Sequence, residues 1–309
     1  MADARATIRR ARASARVTTR SWTTEPRVVW ILGSGRSGST WLLNLLARLT
    51  GGAAVDEPLI GAHLGTPLSV VSGLPQPDEQ LVIDSSRDRD DYIFADRHRA
   101  VWQPVLRTLV LRRFAESALA QGRSARNLVL VKEPNGSTAA PVLTGATPRS
   151  RVLFLVRDGR DVVDSALDGI SGGWITEGYG LRVDGAEARQ RFLVTRAHHW
   201  VQTVRAVQDA FDRHDPARRL RVTYEALRAD PKPELAAMLR WLDHERALGG
   251  IDAAVEALSF DNLPSDQKGP GQFARAATPG LWRDRFTPEE QHILEDIMGP
   301  TLRELDYPE

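Results

Sequence analysis

The stretch VVWILGSGRSGST, residues 28–40, decides the fold of this 309-residue chain. Its first five residues form an apolar run stopped by glycine, which is typical of a buried parallel strand. A loop rich in glycine and serine follows, and residues 41–49 then have the pattern of a helix. A strand, a glycine loop and a helix in this order open the nucleotide-binding α/β units. The sequence therefore predicts an α/β domain that binds a phosphorylated ligand.

Further strands and helices alternate along the chain. Strands are predicted at 128–131, 152–156 and 220–224, with a weaker one at 81–84. Helices are predicted at 41–49, from 160 onward, at 193–211, at 233–242 and at 288–305. Strands that alternate with helices indicate a parallel sheet covered on both faces. We expect a P-loop-like three-layer α/β domain with a central, mostly parallel sheet flanked by helices.

Composition excludes several classes of function. With 41 basic and 40 acidic residues the net charge is +1, which argues against a general nucleic-acid binder. The absence of cysteine excludes disulfides, thiolate metal sites and a cysteine nucleophile. No apolar run approaches the roughly 20 residues that span a bilayer, so we expect no transmembrane segment and a cytoplasmic, bacterial protein. Residues 1–26 are basic and predicted to be a disordered tail, and 27–309 to form one domain.

The glycine loop differs from that of a nucleoside triphosphatase at one position. Such loops read glycine, four residues, then Gly-Lys-Ser/Thr. Here Gly33, Gly38 and Thr40 keep the spacing, but Ser39 stands where the lysine that contacts the β and γ phosphates belongs. The backbone N–H groups of the loop and the following helix N-terminus still favour an anion. Arg36 adds a positive charge inside the loop.

The segment from Arg36 to Leu42 resembles the phosphosulfate loop of sulfotransferases that use 3′-phosphoadenosine 5′-phosphosulfate (PAPS). Cytosolic members usually carry lysine at the position of Arg36, and Golgi members usually carry arginine. The resemblance implies that Arg36 also meets charge developing on the bridging oxygen, and that Trp41 stacks on adenine, although a plain core tryptophan is the alternative. The residues implied to bind the 5′-phosphosulfate are Arg36, Ser37, Gly38, Ser39 and Thr40.

A second motif follows the strand at 152–156. Arg157 at the strand end and Ser165 on the next helix can converge on one phosphate, through a guanidinium fork and a hydroxyl. This spacing resembles the family's 3′-phosphate motif. Tyr224 lies in a segment similar to the family's Tyr-Glu-x-Leu and can contact the nucleotide or belong to the core. Lys268 and Gly269 resemble the element that closes over the 3′-phosphate, with glutamine replacing its leading arginine.

Three residues are candidates for the general base. Cytosolic members place a histidine two residues after a lysine, whereas here Lys132 is followed at that position by Pro134. Golgi-type members use a glutamate shortly after the phosphate-loop helix, which the resemblance carries to Glu57. Glu133 is the second candidate and His63 the third. Lys132 is one of three lysines and is expected to face the sulfuryl group or the acceptor.

The resemblance implies transfer of a sulfuryl group from PAPS to a hydroxyl, less commonly an amine, with adenosine 3′,5′-bisphosphate (PAP) as product. Backbone amides and cationic side chains can supply the positive field, so we expect no metal. The acceptor is expected to be a small molecule, a carbohydrate or a lipid. Two rival hypotheses stay open: a P-loop kinase or nucleoside triphosphatase, in which Asp84 could end a magnesium-binding strand, and a catalytically inactive module that binds PAP or sulfated glycans.

Overall fold

A computed structural model describes residues 25–61, 95–123, 127–171, 183–262, 268–269 and 278–308. Its strands are β1 (Val28–Leu32), β2 (Ala53–Asp56), β3 (Val129–Lys132), β4 (Arg151–Val156) and β5 (Arg219–Thr223). Four of them lie where the sequence predicts strands. Strand β2 was not predicted, because its four residues, Ala-Ala-Val-Asp, carry too short an apolar run. The strand expected at 81–84 falls outside the described residues.

All strand pairs are parallel, and the strands are ordered β2-β3-β1-β4-β5 across the sheet. Strand β1 is central. The chain leaves β1 toward β2 on one side and leaves β4 toward β5 on the other side. In such sheets ligands bind at the carboxyl ends of the strands, where the chain direction across the sheet reverses. The crevice between the ends of β1 and β4 is therefore the expected ligand site.

Ten α-helices occur in the described part of the chain. They are α1 (Ser39–Thr50), α2 (Arg99–Ala120), α3 (Ala140–Ala146), α4 (Gly159–Ser171), α5 (Ala186–Arg213), α6 (Tyr224–Ala229), α7 (Pro231–Trp241), α8 (Ile251–Ala257), α9 (Trp282–Arg285) and α10 (Pro288–Glu304). Helix α2 was not predicted. It exposes Val101, Val105 and Leu109 and contains Pro104, so its apolar residues do not form one stripe.

The side chains of β1 alternate between two cores, as expected for a sheet covered on both faces. Val28, Trp30 and Leu32 pack with α2, α4, α5 and α10. Val29 and Ile31 pack on the other face with α1, α7 and α8. The predicted three-layer α/β architecture is confirmed.

The described chain begins with a buried acidic residue. Glu25, which the sequence assigns to the basic tail, is 1% exposed. It accepts a hydrogen bond from the Arg149 amide at 2.7 Å and pairs with Arg107 of α2. The chain is therefore fixed to the body of the fold just before β1. Residues 1–24 fall outside the described residues.

Candidate functional site

The glycine loop joins β1 to α1 and passes close to the end of β4. Gly33 has φ 152°, and a Cβ there would lie 2.1 Å from the carbonyl oxygen of Leu155, so only glycine fits. Its amide donates to Ser137 Oγ at 3.1 Å. Arg36 adopts a left-handed backbone with φ 66°, which is uncommon for a non-glycine residue and is concentrated at functional sites. The start of the loop is thus in contact with β4 on one side and with the turn after β3 on the other.

The N-terminus of α1 is arranged to receive an anion. Its N-cap residue, Gly38, provides no side-chain acceptor, and its first turn contains no acidic residue. The first N–H groups of a helix lack partners within the helix and carry a partial positive charge. In the loop before this helix, the buried hydroxyls of Ser34 and Ser37 contact each other at 2.7 Å. The predicted phosphosulfate loop therefore has donors and no negative charge at its centre.

Gly38 supports a prediction about the loop, because its φ is 78° and a Cβ would lie 2.6 Å from Tyr224 Cδ2. We expect Gly38→Ala to lower the free energy of unfolding by more than the ~1–2 kcal/mol of left-handed strain, and to weaken nucleotide binding by displacing Tyr224. Urea unfolding and PAP titration measure the two effects. Gly122→Ala is the matched control: its φ is 72°, and within the described part of the chain no atom lies within 4 Å of the added Cβ. Equal losses in both variants, with PAP affinity unchanged, would contradict the role of the Tyr224 contact.

The second predicted anion motif meets the first directly. Arg157 follows β4 and donates from its NH1 to the carbonyl oxygen of Arg36 at 2.8 Å. Arg36 Nε in turn donates to Ser165 Oγ, on α4, at 3.1 Å. The structure therefore brings Arg36, Arg157 and Ser165 together at the crevice between β1 and β4.

The Arg157 side chain is buried and held by its neighbours. The residue is 7% exposed, and its Nε is buried without an acceptor among the described residues. Its guanidinium lies 4.4 Å from the centre of the Tyr224 ring and 3.9 Å from Asp161 Oδ2. Burial raises the pKa of the Tyr224 phenol, so that Tyr224 stays neutral beside the arginine. A guanidinium fixed in this way is suited to binding a phosphate group.

Lys132 links the phosphate loop to the candidate base. Its Nζ is 2.7 Å from Thr40 Oγ1 and 2.8 Å from Glu57 Oε1. Asp56 Oδ1 lies 2.7 Å from the same nitrogen, because β2 and β3 pair Asp56 with Lys132. Lys132 is only 3% exposed. The positively charged Lys132 ammonium group therefore lies between the Thr40 hydroxyl of the loop and the two carboxylates.

Glu57 occupies a strained position just beyond β2. Its φ is 45°, and its amide donates to the carbonyl of Lys132 at 2.9 Å. Asn135 Nδ2 donates to Glu57 Oε2 at 2.5 Å. Both carboxylate oxygens are thereby oriented by protein groups. Sequence reasoning missed Asp56 and Asn135, although each lies within a segment that the motif search singled out.

Glu133, the second candidate base, lies near Glu57 and accepts a backbone hydrogen bond from the turn beyond it. It is fully buried, and its Oε1 accepts from the amide of Gly61 at 3.2 Å. Burial raises the pKa of the Glu133 carboxyl to about 7, with nearby Glu57 adding to the rise. Its geometry suits fixing the turn that follows Glu57. His63, the third candidate, lies outside the described residues.

Trp41, Lys268 and Gly269 are less closely joined to the site. Trp41 is partly buried against the core on the α1 side, with the Arg228 guanidinium 5.9 Å from its ring. Lys268 Nζ donates to the carbonyl of Asp261 at 2.7 Å and lies 5.6 Å from the Phe260 ring. These contacts within the described residues do not connect Lys268 to Arg157 or Ser165. Gly269 has φ 111°, and no atom of the described residues lies within 4 Å of an added Cβ.

The described ranges, 25–61, 95–123, 127–171, 183–262, 268–269 and 278–308, contain neither a metal-binding cluster nor a membrane-spanning helix. Within these ranges, no group of three or more histidine or acidic side chains is placed to hold a metal ion. No helix of the described chain has the length and apolarity needed to cross a membrane.

Comparison with known proteins points to one family. The model of the sulfotransferase family matches residues 26–247. A sulfotransferase from Mycobacterium avium has a similar structure, with 15% identity, a TM-score of 0.53 and coverage of 95% of this chain and 80% of that one. A retinol dehydratase in complex with androsterone and the inactive cofactor PAP has 18% identity and a TM-score of 0.50, and the match covers 95% of this chain and 85% of that one. A mouse sulfotransferase complexed with PAP has 11% identity and a TM-score of 0.51, and the match covers 90% of this chain and 85% of that one. At these identities the structures show a shared fold, and no curated protein matches the sequence.

Proposed function

The chain belongs to the sulfotransferase family, and on that premise we propose that it transfers a sulfuryl group from PAPS to a hydroxyl of an acceptor and releases PAP. The observation that supports this most is the junction of the two anion motifs, where Arg157 bonds to the Arg36 carbonyl and Arg36 to Ser165. Two adjacent cationic pockets suit a nucleotide with phosphate groups on both its 3′ and 5′ oxygens.

We assign the ends of PAPS to the two pockets as follows. The amides and hydroxyls of residues 37–40 and the Arg36 guanidinium bind the 5′-phosphosulfate. Arg157 and Ser165 bind the 3′-phosphate, and Tyr224 contacts the nucleotide between them. Tyr224 supports this assignment because it touches both Arg157 and the position of Gly38. Trp41, Lys268 and Gly269 remain proposed nucleotide contacts on the resemblance of their motifs alone.

The proposed reaction is an in-line displacement at sulfur. The acceptor oxygen forms the new S–O bond, Glu57 takes the hydroxyl proton, and the bond to the bridging oxygen breaks with its electron pair left on PAP. Lys132 and Arg36 stabilise the charge that develops on the sulfuryl and bridging oxygens. The contacts of Lys132 with Thr40 and Glu57 support this division of roles.

Two other functions fit the site less well. A P-loop kinase or triphosphatase needs a lysine at Ser39, and its candidate magnesium-binding residue, Asp84, falls outside the described residues. An inactive binding module needs no ordered cluster of Glu57, Lys132 and Asn135 next to the phosphate loop. We further propose that residues 27–309 form one catalytic domain behind a basic tail. The bacterial and cytoplasmic assignments stay predictions.

Incubation with sulfur-labelled PAPS and a panel of sugars, phenols, sterols, lipids and peptides tests the proposed reaction. We expect label on one acceptor class, formation of PAP in equal amount, and no loss of activity when a chelator is added. Turnover of ATP that depends on magnesium, without transfer from PAPS, would favour the kinase hypothesis instead. Binding of PAP without transfer to any acceptor would favour the inactive module.

Arg157 gives a separate prediction for the 3′-phosphate pocket. We expect Arg157→Ala to weaken PAP binding by about 1.5–3 kcal/mol, the value of hydrogen bonds to a charged group. Calorimetric titration measures this loss. Adenosine 5′-phosphate, which lacks the 3′-phosphate, is the control ligand, and its affinity should fall less, because Arg157 reaches the 5′-phosphosulfate loop only through its bond to the Arg36 carbonyl. Equal losses for both nucleotides would place the 3′-phosphate elsewhere.

A further inference from the structure

The last described residues of the chain are bonded to the segment that carries Arg157. Tyr307 Oη donates to Glu225 Oε2 at 2.8 Å. The other oxygen of the same carboxylate, Oε1, accepts from the amide of Asp158 at 3.0 Å. Because Asp158 directly follows Arg157, a single carboxylate joins the C-terminal segment to the end of β4.

A second contact joins the same two segments. Arg160 NH2 donates to the carbonyl oxygen of Pro308 at 2.7 Å. The Arg160 guanidinium also pairs with the Asp158 carboxylate at 2.9 Å and lies 4.2 Å from the centre of the Trp282 ring. Arg160 is 2% exposed, so these contacts are made inside the protein. Residues 157–160 are therefore held at two points by residues 307–308.

Helix α6 completes the support of Arg157 from two directions. Its first residue, Tyr224, stacks on the Arg157 guanidinium at 4.4 Å. Its second, Glu225, binds the backbone just after Arg157. The backbone and the side chain of the arginine are thus fixed by adjacent residues of one helix, and Tyr307 orients the second of them.

The hydrogen bond from Tyr307 to Glu225 requires that the Tyr307 phenol keep its proton. Burial raises the pKa of the Tyr307 phenol far above its usual range, and the adjacent Glu225 carboxylate raises it further. Tyr307 therefore remains a donor. Burial also raises the pKa of the Glu225 carboxyl, while its bonds to the Asp158 amide and Tyr307 and the charge of Arg157 oppose that rise.

We propose that Tyr307 is a positioning residue for recognition of the 3′-phosphate, because its hydroxyl orients Glu225, which fixes the backbone next to Arg157. This inference rests on the proposed binding of PAPS. Loss of the hydroxyl leaves one oxygen of a mostly buried carboxylate without its donor and lets the Asp158 amide shift. The consequence is a change in selectivity, because Arg157 would contact the 3′-phosphate directly but reaches the 5′-phosphosulfate loop only through its bond to the Arg36 carbonyl.

The test compares PAP with adenosine 5′-phosphate on the full chain by calorimetric titration. We expect Tyr307→Phe to weaken PAP binding about 5–10-fold, less than the full value of one hydrogen bond to a charged group, because Tyr307 acts on Arg157 through Glu225. Adenosine 5′-phosphate binding should change by less than about twofold. In turnover assays KM for PAPS should rise with kcat nearly constant. A general loss of structure would weaken both nucleotides alike, so the ratio of the two affinities reports positioning.

Asp306→Asn is the matched control variant. Asp306 precedes Tyr307 and pairs with Arg221 at 3.3 Å on the exposed side, so this variant weakens a C-terminal contact without touching Glu225. The Asp306→Asn variant should keep the wild-type ratio of PAP affinity to adenosine 5′-phosphate affinity. Glu225→Ala removes the carboxylate that joins Tyr307 to the Asp158 amide. It should lower the ratio of the two affinities at least as much as Tyr307→Phe does. An unchanged ratio in Tyr307→Phe, with PAP bound normally, would overturn this inference alone. Failure of the wild-type protein to bind PAP would overturn the proposed function and this inference with it.

Discussion

Replacing Glu57 by glutamine is expected to lower kcat about 10²-fold or more, the usual contribution of a general base, while PAP affinity stays nearly unchanged. Glutamine keeps the size of the side chain. Its one carbonyl oxygen can still accept from Lys132, which contacts Glu57 Oε1 at 2.8 Å. Its NH2 group replaces the oxygen that accepts from Asn135 at 2.5 Å, and can bind Asn135 when that amide turns to present its own oxygen. It cannot take a proton from the acceptor. Single-turnover kinetics with labelled PAPS, together with PAP titration, separates the chemical step from nucleotide binding.

The matched control for Glu57 is its neighbour. Asp56 contacts the same Lys132 Nζ at 2.7 Å, but its side chain is 56% exposed. If Glu57 served only to neutralise Lys132, Asp56→Asn would lower kcat to a similar extent. We expect Asp56→Asn to change kcat by less than about tenfold, well short of the loss of a general base. Normal turnover by Glu57→Gln would remove this residue from the mechanism and turn attention to Glu133.

The second large effect is expected at Lys132. Replacement by methionine keeps the length of the side chain and removes its charge, and should lower kcat about 10²–10³-fold, as for loss of one group that stabilises transition-state charge. Nucleotide affinity should fall less than kcat. The reason is the position of Nζ between Thr40 of the phosphate loop and the candidate base. Transfer assays and PAP titration on the same preparation measure both quantities.

Lys232 offers a control of the same residue type. It pairs with Asp252 at 2.8 Å on the surface, where its side chain is 64% exposed. Lys232→Met should leave transfer unchanged, since exposed ion pairs contribute little to stability. Loss of PAP binding in Lys132→Met equal to its loss of kcat would assign Lys132 to nucleotide binding and not to the chemical step.

Much of the site could be predicted because its residues are local to strand ends. Arg36 and Arg157 each follow an apolar strand, and in a parallel sheet the carboxyl ends of all strands lie at one edge. Sequence alone therefore placed two cationic motifs on the same side of the molecule. The sheet order, with β1 beside β4, then made them adjacent.

Other contacts could not be predicted because they join residues far apart in the chain. The contact of Asp56 with Lys132 depends on β2 pairing with β3, and β2 itself has no clear strand pattern. The bond from Tyr307 to Glu225 joins residues 82 positions apart, and the order of the helices decides it. Helix α2 was not predicted because it exposes apolar side chains such as Val101. These side chains interrupt the regular spacing of apolar residues by which a surface helix is recognised.

Calorimetric titration of the wild-type chain with PAP and with adenosine 5′-phosphate addresses the donor site most directly. The two pockets around Arg36 and Arg157 predict one PAP per chain, and an affinity above that for adenosine 5′-phosphate by about tenfold or more, the worth of one charged hydrogen bond. Equal affinity for the two nucleotides, or no heat with either, would contradict a site built for both ends of PAPS.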